Sequence, residues 1–224
     1  MTFIFETIKQ VDERCKVDSD DGSESASSGA DLWWGTNLQA IIDAVSAGNL
    51  PHVELSCVIS NKADAYGIKR AQAAKIPVHV LENVPNAQGK KACEAQILQI
   101  LHENRIQLVA LAGFMAILSA DFIAQCPAPI INIHPSLIPA FSGPGYYGLR
   151  VHEAALAAGV KVSGATVHFV NEICDGGKIL AQDTVRVQEL DTPQSLQQRI
   201  LHEVEHVIFP RTIEALCAEI VNRK

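Results

Sequence analysis

The run Leu108-Val109-Ala110-Leu111-Ala112 carries no polar side chain and is bounded by Gln107 and Gly113. An apolar stretch this short reads as a strand covered on both faces, the pattern of a parallel sheet flanked by helices. The segments around it alternate accordingly. Upstream, Leu38, Ile41, Ile42 and Val45 recur at helical spacing and stop at Gly48, predicting a helix, and residues 53–59 then read as a strand. Residues 63–75 read as a helix, 78–81 as a short strand and 91–103 as a helix. Downstream, 119–125 predict a short helix, 130–133 a strand and 147–158 a helix. Such a βαβ succession implies an α/β fold built on an open, mostly parallel sheet. Beyond Gly159 the pattern changes: 162–170 and 178–187 predict two strands that return on each other antiparallel. A long last helix starts near Thr192-Pro193, with Thr as cap and Pro in the first helical position.

Composition narrows the function classes. A chain of 224 residues holds one sizeable α/β core. Its net charge of −7 and the lack of any Lys/Arg-rich run leave no electrostatic footprint for nucleic acid. The six cysteines are scattered, with no C-x-x-C pair, and read as free thiols in a reducing compartment. No stretch approaches the roughly 18 uninterrupted apolar residues of a membrane span, and no export signal opens the chain. A cytoplasmic protein, monomeric or homodimeric and without a nucleic-acid or membrane partner, is expected.

The strand at 130–133 runs into Asn132-Ile133-His134-Pro135-Ser136. In open α/β sheets, ligands bind at the carboxyl ends of strands, where His134 and Gly113 fall. Asn132 and His134 are two apart on an extended chain, so their side chains share a face and can converge on one oxygen. A lone histidine at a strand end is otherwise a structural residue. Asp175-Gly176-Gly177 by itself is a turn signature; beside His134, its carboxylate would favour an imidazolium and so supply an acid. Gly35-Thr36-Asn37 before a helix offers N–H groups to an anion, or simply caps the helix. His202-Glu203-Val204-Glu205-His206 matches H-E-x-x-H, the zinc-peptidase pattern with Glu203 as base, but fewer than twenty residues follow it to supply a third ligand.

The stretches Gly35–Ile42, Ile59–Ala65, Leu111–Leu118, Ile131–Pro139, Gly164–Phe169, Asp175–Gly177 and Glu205–Pro210 together resemble the phosphoribosylglycinamide formyltransferases, within the formyltransferase family. The resemblance runs from Gly35 to about Glu214. It implies a formyltransferase-type open, twisted sheet with a Rossmann-like first half. It also implies transfer of a formyl group from 10-formyltetrahydrofolate to glycinamide ribonucleotide, with no metal. It further implies that Asn132, His134 and Asp175 are catalytic, that Gly35, Thr36 and Asn37 cradle the 5′-phosphate, that Glu205 binds the ribose, that Gly113 lies near the glycinamide, and that Pro135 is also substrate-binding. Met115, Ala116, Ile117, Leu118, Glu172, Ile173, Cys174 and Asp175 would hold the pterin. The alternatives are another formyltetrahydrofolate enzyme such as a deformylase, an inactive folate-binding remnant, and a zinc peptidase on His202 and His206.

The first 34 residues depart from this pattern, so the formyltransferase domain is expected over 35–224. Residues 16–29 are polar and low in complexity, and little structure is expected in this leading segment. Family members begin with a buried strand and a Ser-Gly-x-Gly phosphate loop, whereas this chain has Ala30-Asp31-Leu32-Trp33-Trp34. Two indoles oppose the close backbone approach that glycine permits. Tryptophan has the single codon TGG, so Trp33-Trp34-Gly35 read one base later is Gly-Gly, and the residues before it can become Val-Leu-Ile-Ser. A frameshift upstream of Gly35 is the hypothesis; the gene's nucleotides decide it, and it fails if no one-base shift restores an apolar strand.

Overall fold

The computed structural model describes residues 4–9, 35–81, 86–114 and 116–223. They build one seven-stranded sheet with helices on both faces, in the order β3-β2-β1-β4-β5-β6-β7. The elements are β1 (Ile4–Lys9), α1 (Thr36–Ser46), β2 (Glu54–Ser60), α2 (Tyr66–Ala73), β3 (Val78–Val80), α3 (Ala87–Glu103), β4 (Leu108–Ala112) and α4 (Ala120–Gln125). They continue with β5 (Ile130–His134), α5 (Leu149–Ala157), β6 (Val162–Phe169), β7 (Ile179–Arg186), α6 (Pro193–Ile200), a π-helical turn (Leu201–Glu205) and α7 (His206–Asn222). The parallel pairs are β2/β3 and β4/β5. Because β1 is antiparallel to β2 and β4, and β6 to β5 and β7, strands β2, β3, β4, β5 and β7 all point one way. Five of the seven strands thus share one direction, while four of the six neighbouring pairs are antiparallel because β1 and β6 run the other way.

Strand β4 explains why the sheet is buried on both sides. Every one of its residues is buried, and they alternate between two cores. Leu108, Ala110 and Ala112 join a cluster with Ile131, Ile133 and residues of α6 and α7, while Val109 and Leu111 join Ile97, Leu101 and Phe122 from α3 and α4. This is the period-two alternation of a strand serving two helical layers. Local signals hold at the ends as well. Gly48 has φ 71 just after α1, a left-handed position that suits glycine. Ser119 caps α4 by accepting from the Phe122 N–H, and Thr192 caps α6 in a reciprocal box with Ser195, with Pro193 first in the helix.

Three expectations are corrected. Little structure was expected through the leading segment, but residues 4–9 form an interior strand of the sheet, third in its order and antiparallel to both neighbours. Neighbours β2 and β4 would otherwise leave facing rows of backbone donors and acceptors without partners, and a β-branched and aromatic segment is the kind that fills such a slot. Residues 1–3 and 10–34, including the low-complexity stretch and both tryptophans, lie outside the described residues. The helix expected over 63–75 starts only at Tyr66. The last helix is likewise not continuous: the π-helical turn divides α6 from α7.

Candidate active site

A cleft of about 870 Å³ opens at the carboxyl ends of β4 and β5. Strand register explains its chemistry. Asn132 and His134 alternate with the buried Ile131 and Ile133 of β5, so both project from the same face of the sheet. Across the next strand pair, Asn132 faces His168 of β6, and the loop that leaves β6 brings in Asp175. Asp175 Oδ2 lies 3.7 Å from His134 Nδ1, and its Oδ1 lies 3.7 Å from His168 Nε2. The carboxylate also accepts the Gly143 N–H at 2.8 Å, tying the loop after β6 to the loop after β5. The three groups expected from the sequence therefore meet at one place.

The loop from β5 to α5 is pinned by hydroxyls. Thr166 Oγ1 donates to the Ser136 carbonyl at 2.6 Å and accepts the Ile138 N–H at 3.1 Å, while Ser136 Oγ donates to the Ala140 carbonyl. Phe141 ends this run in a left-handed conformation, φ 50, which a bulky residue adopts only under constraint from its surroundings. Its carbonyl oxygen lies 3.1 Å from His134 Nε2. A carbonyl only accepts, so Nε2 carries a hydrogen and Nδ1 is the ring nitrogen turned to Asp175.

Gly177 sets the turn of the Asp175 loop. A Cβ there would sit 1.7 Å from the Phe169 carbonyl oxygen, so only glycine permits that approach. Cys174 lines the cleft beside Asp175, and burial together with that carboxylate pushes its thiol up from the ordinary value. A thiol in that state is a poor nucleophile.

At the far end of the cleft, Gly35 precedes α1 with φ 83, and no side chain caps the helix. Thr36 and Asn37 line the cleft there. Asn37 Nδ2 donates to Glu205 Oε2 at 2.7 Å. Glu205 is only 8% exposed, and burial pushes its carboxyl up to about 7, against the lowering effect of the Asn37 hydrogen bond. The π-helical turn ends at Glu205, and one-turn π bulges of this kind recur where a helix must aim a side chain at a site.

Of the other residues singled out from the sequence, Gly113, Ala116, Ile117, Leu118, Pro135 and Ile173 line the cleft. Gly113 has φ 64. Glu172 is exposed and not part of the lining, and Met115 lies outside the described residues. Among the described residues no group of three His, Cys, Asp or Glu stands ready to hold a metal ion. His202 and His206 instead pack edge to face, with ring centres 5.1 Å apart. Burial, with His202 and Arg70 nearby, pushes the His206 imidazole down to about 4. Glu205, inside the H-E-x-x-H pattern, turns to Asn37 and the cleft.

Two histidines escaped the sequence reading. His168 is 2% exposed and bridges Asn132 and Asp175. Only the pairing of β5 with β6 brings it there, and no local spacing signals that register. His152, on α5, is fully buried beside the cleft, and neither ring nitrogen has a partner among the described residues. Burial and the nearby His134 push its imidazole down to about 4.

Comparison with known proteins gives the family of the chain. The sequence profile described as formyl transferase matches residues 33–213. The phosphoribosylglycinamide formyltransferase of Haemophilus influenzae is 42% identical over 182 residues, covering 80% of this chain and 81% of that protein. The chloroplastic phosphoribosylglycinamide formyltransferase of Arabidopsis thaliana is 37% identical over 83% of this chain. This chain spans 63% of the length of that relative, and 13% of the trifunctional purine biosynthetic protein adenosine-3 of Drosophila melanogaster. Among solved structures, glycinamide ribonucleotide transformylase 1 from Symbiobacterium toebii superposes with a TM-score of 0.74 at 40% identity, covering 83% of this chain and 84% of that one. The match runs from before α1 into α7 and spans the positions of Asn132, His134 and Asp175: the chain belongs to the formyl transferase family, among the phosphoribosylglycinamide formyltransferases.

Proposed function

We propose that this protein transfers the formyl group of 10-formyltetrahydrofolate to the amine of glycinamide ribonucleotide, a step of purine biosynthesis. One observation carries the reading. The amide of Asn132, the imidazole of His134 and the carboxylate of Asp175 border a single cleft that also reaches the N-terminus of α1 and Glu205, so there is room for two small molecules to meet at those three groups.

In the proposed reaction the phosphate of glycinamide ribonucleotide lies at Gly35, Thr36 and Asn37, where unsatisfied helix N–H groups and the helix dipole favour an anion. Glu205 receives the ribose hydroxyls, and Gly113 and Pro135 flank the glycinamide. The pterin lies against Ala116, Ile117 and Leu118 on one side and Ile173, Cys174 and Asp175 on the other, and Met115 and Glu172 belong to the same two segments. The amine attacks the formyl carbon, and the carbonyl oxygen becomes an oxyanion that Asn132 and His134 stabilise. Because His134 Nε2 donates to Phe141, the proton His134 exchanges with substrate is the one on Nδ1. Asp175, 3.7 Å away, stabilises the positive ring while that proton is held. The C–N bond to the folate then breaks; the folate nitrogen gains a proton, the amine loses one, and tetrahydrofolate leaves. Asn132, His134 and Asp175 are the proposed catalytic residues.

A cytoplasmic location fits this chemistry; no helix among the described residues is long and apolar enough to cross a membrane. The test is direct. Purified protein is incubated with 10-formyltetrahydrofolate, with and without glycinamide ribonucleotide, while formylated product and tetrahydrofolate are measured. Tetrahydrofolate released at the same rate without the ribonucleotide would make the protein a hydrolase. Folate binding without turnover would make it a remnant.

A further inference from the structure

His168 lies on β6 opposite Asn132 of β5, with its ring out of water. Its Nδ1 is 2.8 Å from the carbonyl oxygen of Phe169, and its Nε2 is 3.2 Å from Nδ2 of Asn132. The carbonyl can only accept, so Nδ1 carries the hydrogen. In the neutral ring Nε2 is then a bare lone pair, and the group facing it must donate. An asparagine side chain has one donor atom and one acceptor atom, so its nitrogen must be the end turned to His168. The neutral ring is the favoured state: burial pushes this imidazole below its ordinary value, against the raising effects of the Phe169 carbonyl and of Asp175, with His134 lowering it further. Of the groups facing the ring, Asp175 is the anion and His134 the other titratable one.

The opposite end of the Asn132 amide supplies no such control. Its Oδ1 is buried and has no partner among the described residues. Orientation of the amide is therefore set on the nitrogen side alone, through a chain that runs from the Phe169 carbonyl to the His168 tautomer to Asn132.

We propose that His168 is a positioning residue for formyl transfer, locking the Asn132 amide so that its second N–H, and not its oxygen, meets the oxyanion. This rests on the reaction assigned above. A flipped amide would turn an oxygen toward the His168 lone pair and another lone pair toward the oxyanion, replacing two attractions by two repulsions.

Two variants and one spectrum test it. His168→Leu fills the space but cannot accept; its kcat falls about 10- to 100-fold, approaching the loss of one oxyanion donor, while both KM values stay within about threefold. His168→Gln restores an acceptor oxygen and returns kcat to within about fivefold of the wild type. A merely structural histidine would instead lower melting temperature in both variants without this rescue. A leucine variant with wild-type kcat, or a glutamine variant as slow as the leucine one, overturns the proposal. Independently of catalysis, long-range proton–nitrogen NMR of histidine-labelled wild-type protein, with His168 assigned by its loss in His168→Gln, should find Nδ1 protonated and Nε2 bare at neutral pH. A protonated Nε2 overturns the lock even in an active enzyme. Conversely, the expected tautomer in a protein that transfers no formyl group refutes the assigned reaction and leaves the amide orientation standing.

Discussion

Asp175→Asn isolates one charge. The carboxylate is 12% exposed and lies 3.7 Å from the nearest nitrogen of His134. Unit charges at that separation interact by about 4.5 kcal/mol at an effective dielectric of about 20. Asparagine has nearly the same volume, keeps an oxygen for the Gly143 N–H, and tolerates the left-handed backbone found at Asp175, φ 54. Folding should therefore survive, and the loss should appear where the ring becomes positive. With half to all of the Coulomb energy acting in the transition state, kcat falls about 40- to 2,000-fold, because about 1.4 kcal/mol is a factor of ten. Neither KM moves more than about threefold, since neither ground-state substrate needs that charge. Steady-state kinetics with each substrate varied in turn, alongside a urea melt to verify folding, measures both numbers. A kcat within about fivefold of the wild type, or a defect confined to KM, would show that Asp175 does not act through the charge of His134.

Glu205 gives a pH dependence of defined sign. Its folded carboxyl is pushed up to about 7 from an ordinary 4.5, so the unfolded chain ionises first as pH rises. The stability tied to its neutral form is present below pH 4.5 and is lost as pH rises through about 7, a change of about 3 kcal/mol. Glu205→Gln should thus gain on the wild type by that order in urea melts between pH 5 and pH 8, and a gap that does not vary with pH would contradict it. Gly177→Ala should destabilise by about 3 kcal/mol or more, because the obstructing atom is backbone and cannot swing aside. Gly113→Ala meets nothing within 4 Å and should cost about 1 to 2 kcal/mol through its positive φ alone. Prolonged dialysis against a chelator should leave formyl transfer unchanged, whereas loss restored by added zinc would revive the H-E-x-x-H reading.

Much of this was legible because the signals are local. An unbroken apolar run made β4 a doubly covered strand, Thr192-Pro193 marked the start of α6, and two-residue spacing put Asn132 and His134 on one face. The meeting of His134 with Asp175 was implied by the family resemblance but not legible from spacing. It depends on β6 pairing antiparallel with β5, which turns the loop after Phe169 back over the cleft, and one sequence contains no register. His168 and His152 were missed for the same reason, since each becomes significant only through partners on another element or through having none. Conversely, H-E-x-x-H was a pattern of common residues whose spacing suits zinc, but whose central Val204 packs into the core and whose fourth residue, Glu205, is buried against Asn37 at the cleft. The interior place of Ile4–Lys9 could not be read either, because the vacancy it fills is created by strands far along the chain.

The π-helical turn has an effect on everything that follows it. A regular helix advances about 100° per residue, so one surplus residue within a turn offsets the two rods on either side of it by about that angle. Upstream, α6 sends Gln197 and Gln198 to the cleft wall; downstream, α7 drives Ile208, Phe209, Ile213 and Cys217 into the sheet. Excising a single residue between Leu201 and Glu205 would regularise the spiral and swing that apolar stripe toward water. The irregularity acts as a phase shifter, letting α6 reach the substrate chamber with Gln197 and Gln198 while Leu196 and Ile200 stay in the core, and letting α7 keep its own apolar stripe on the sheet.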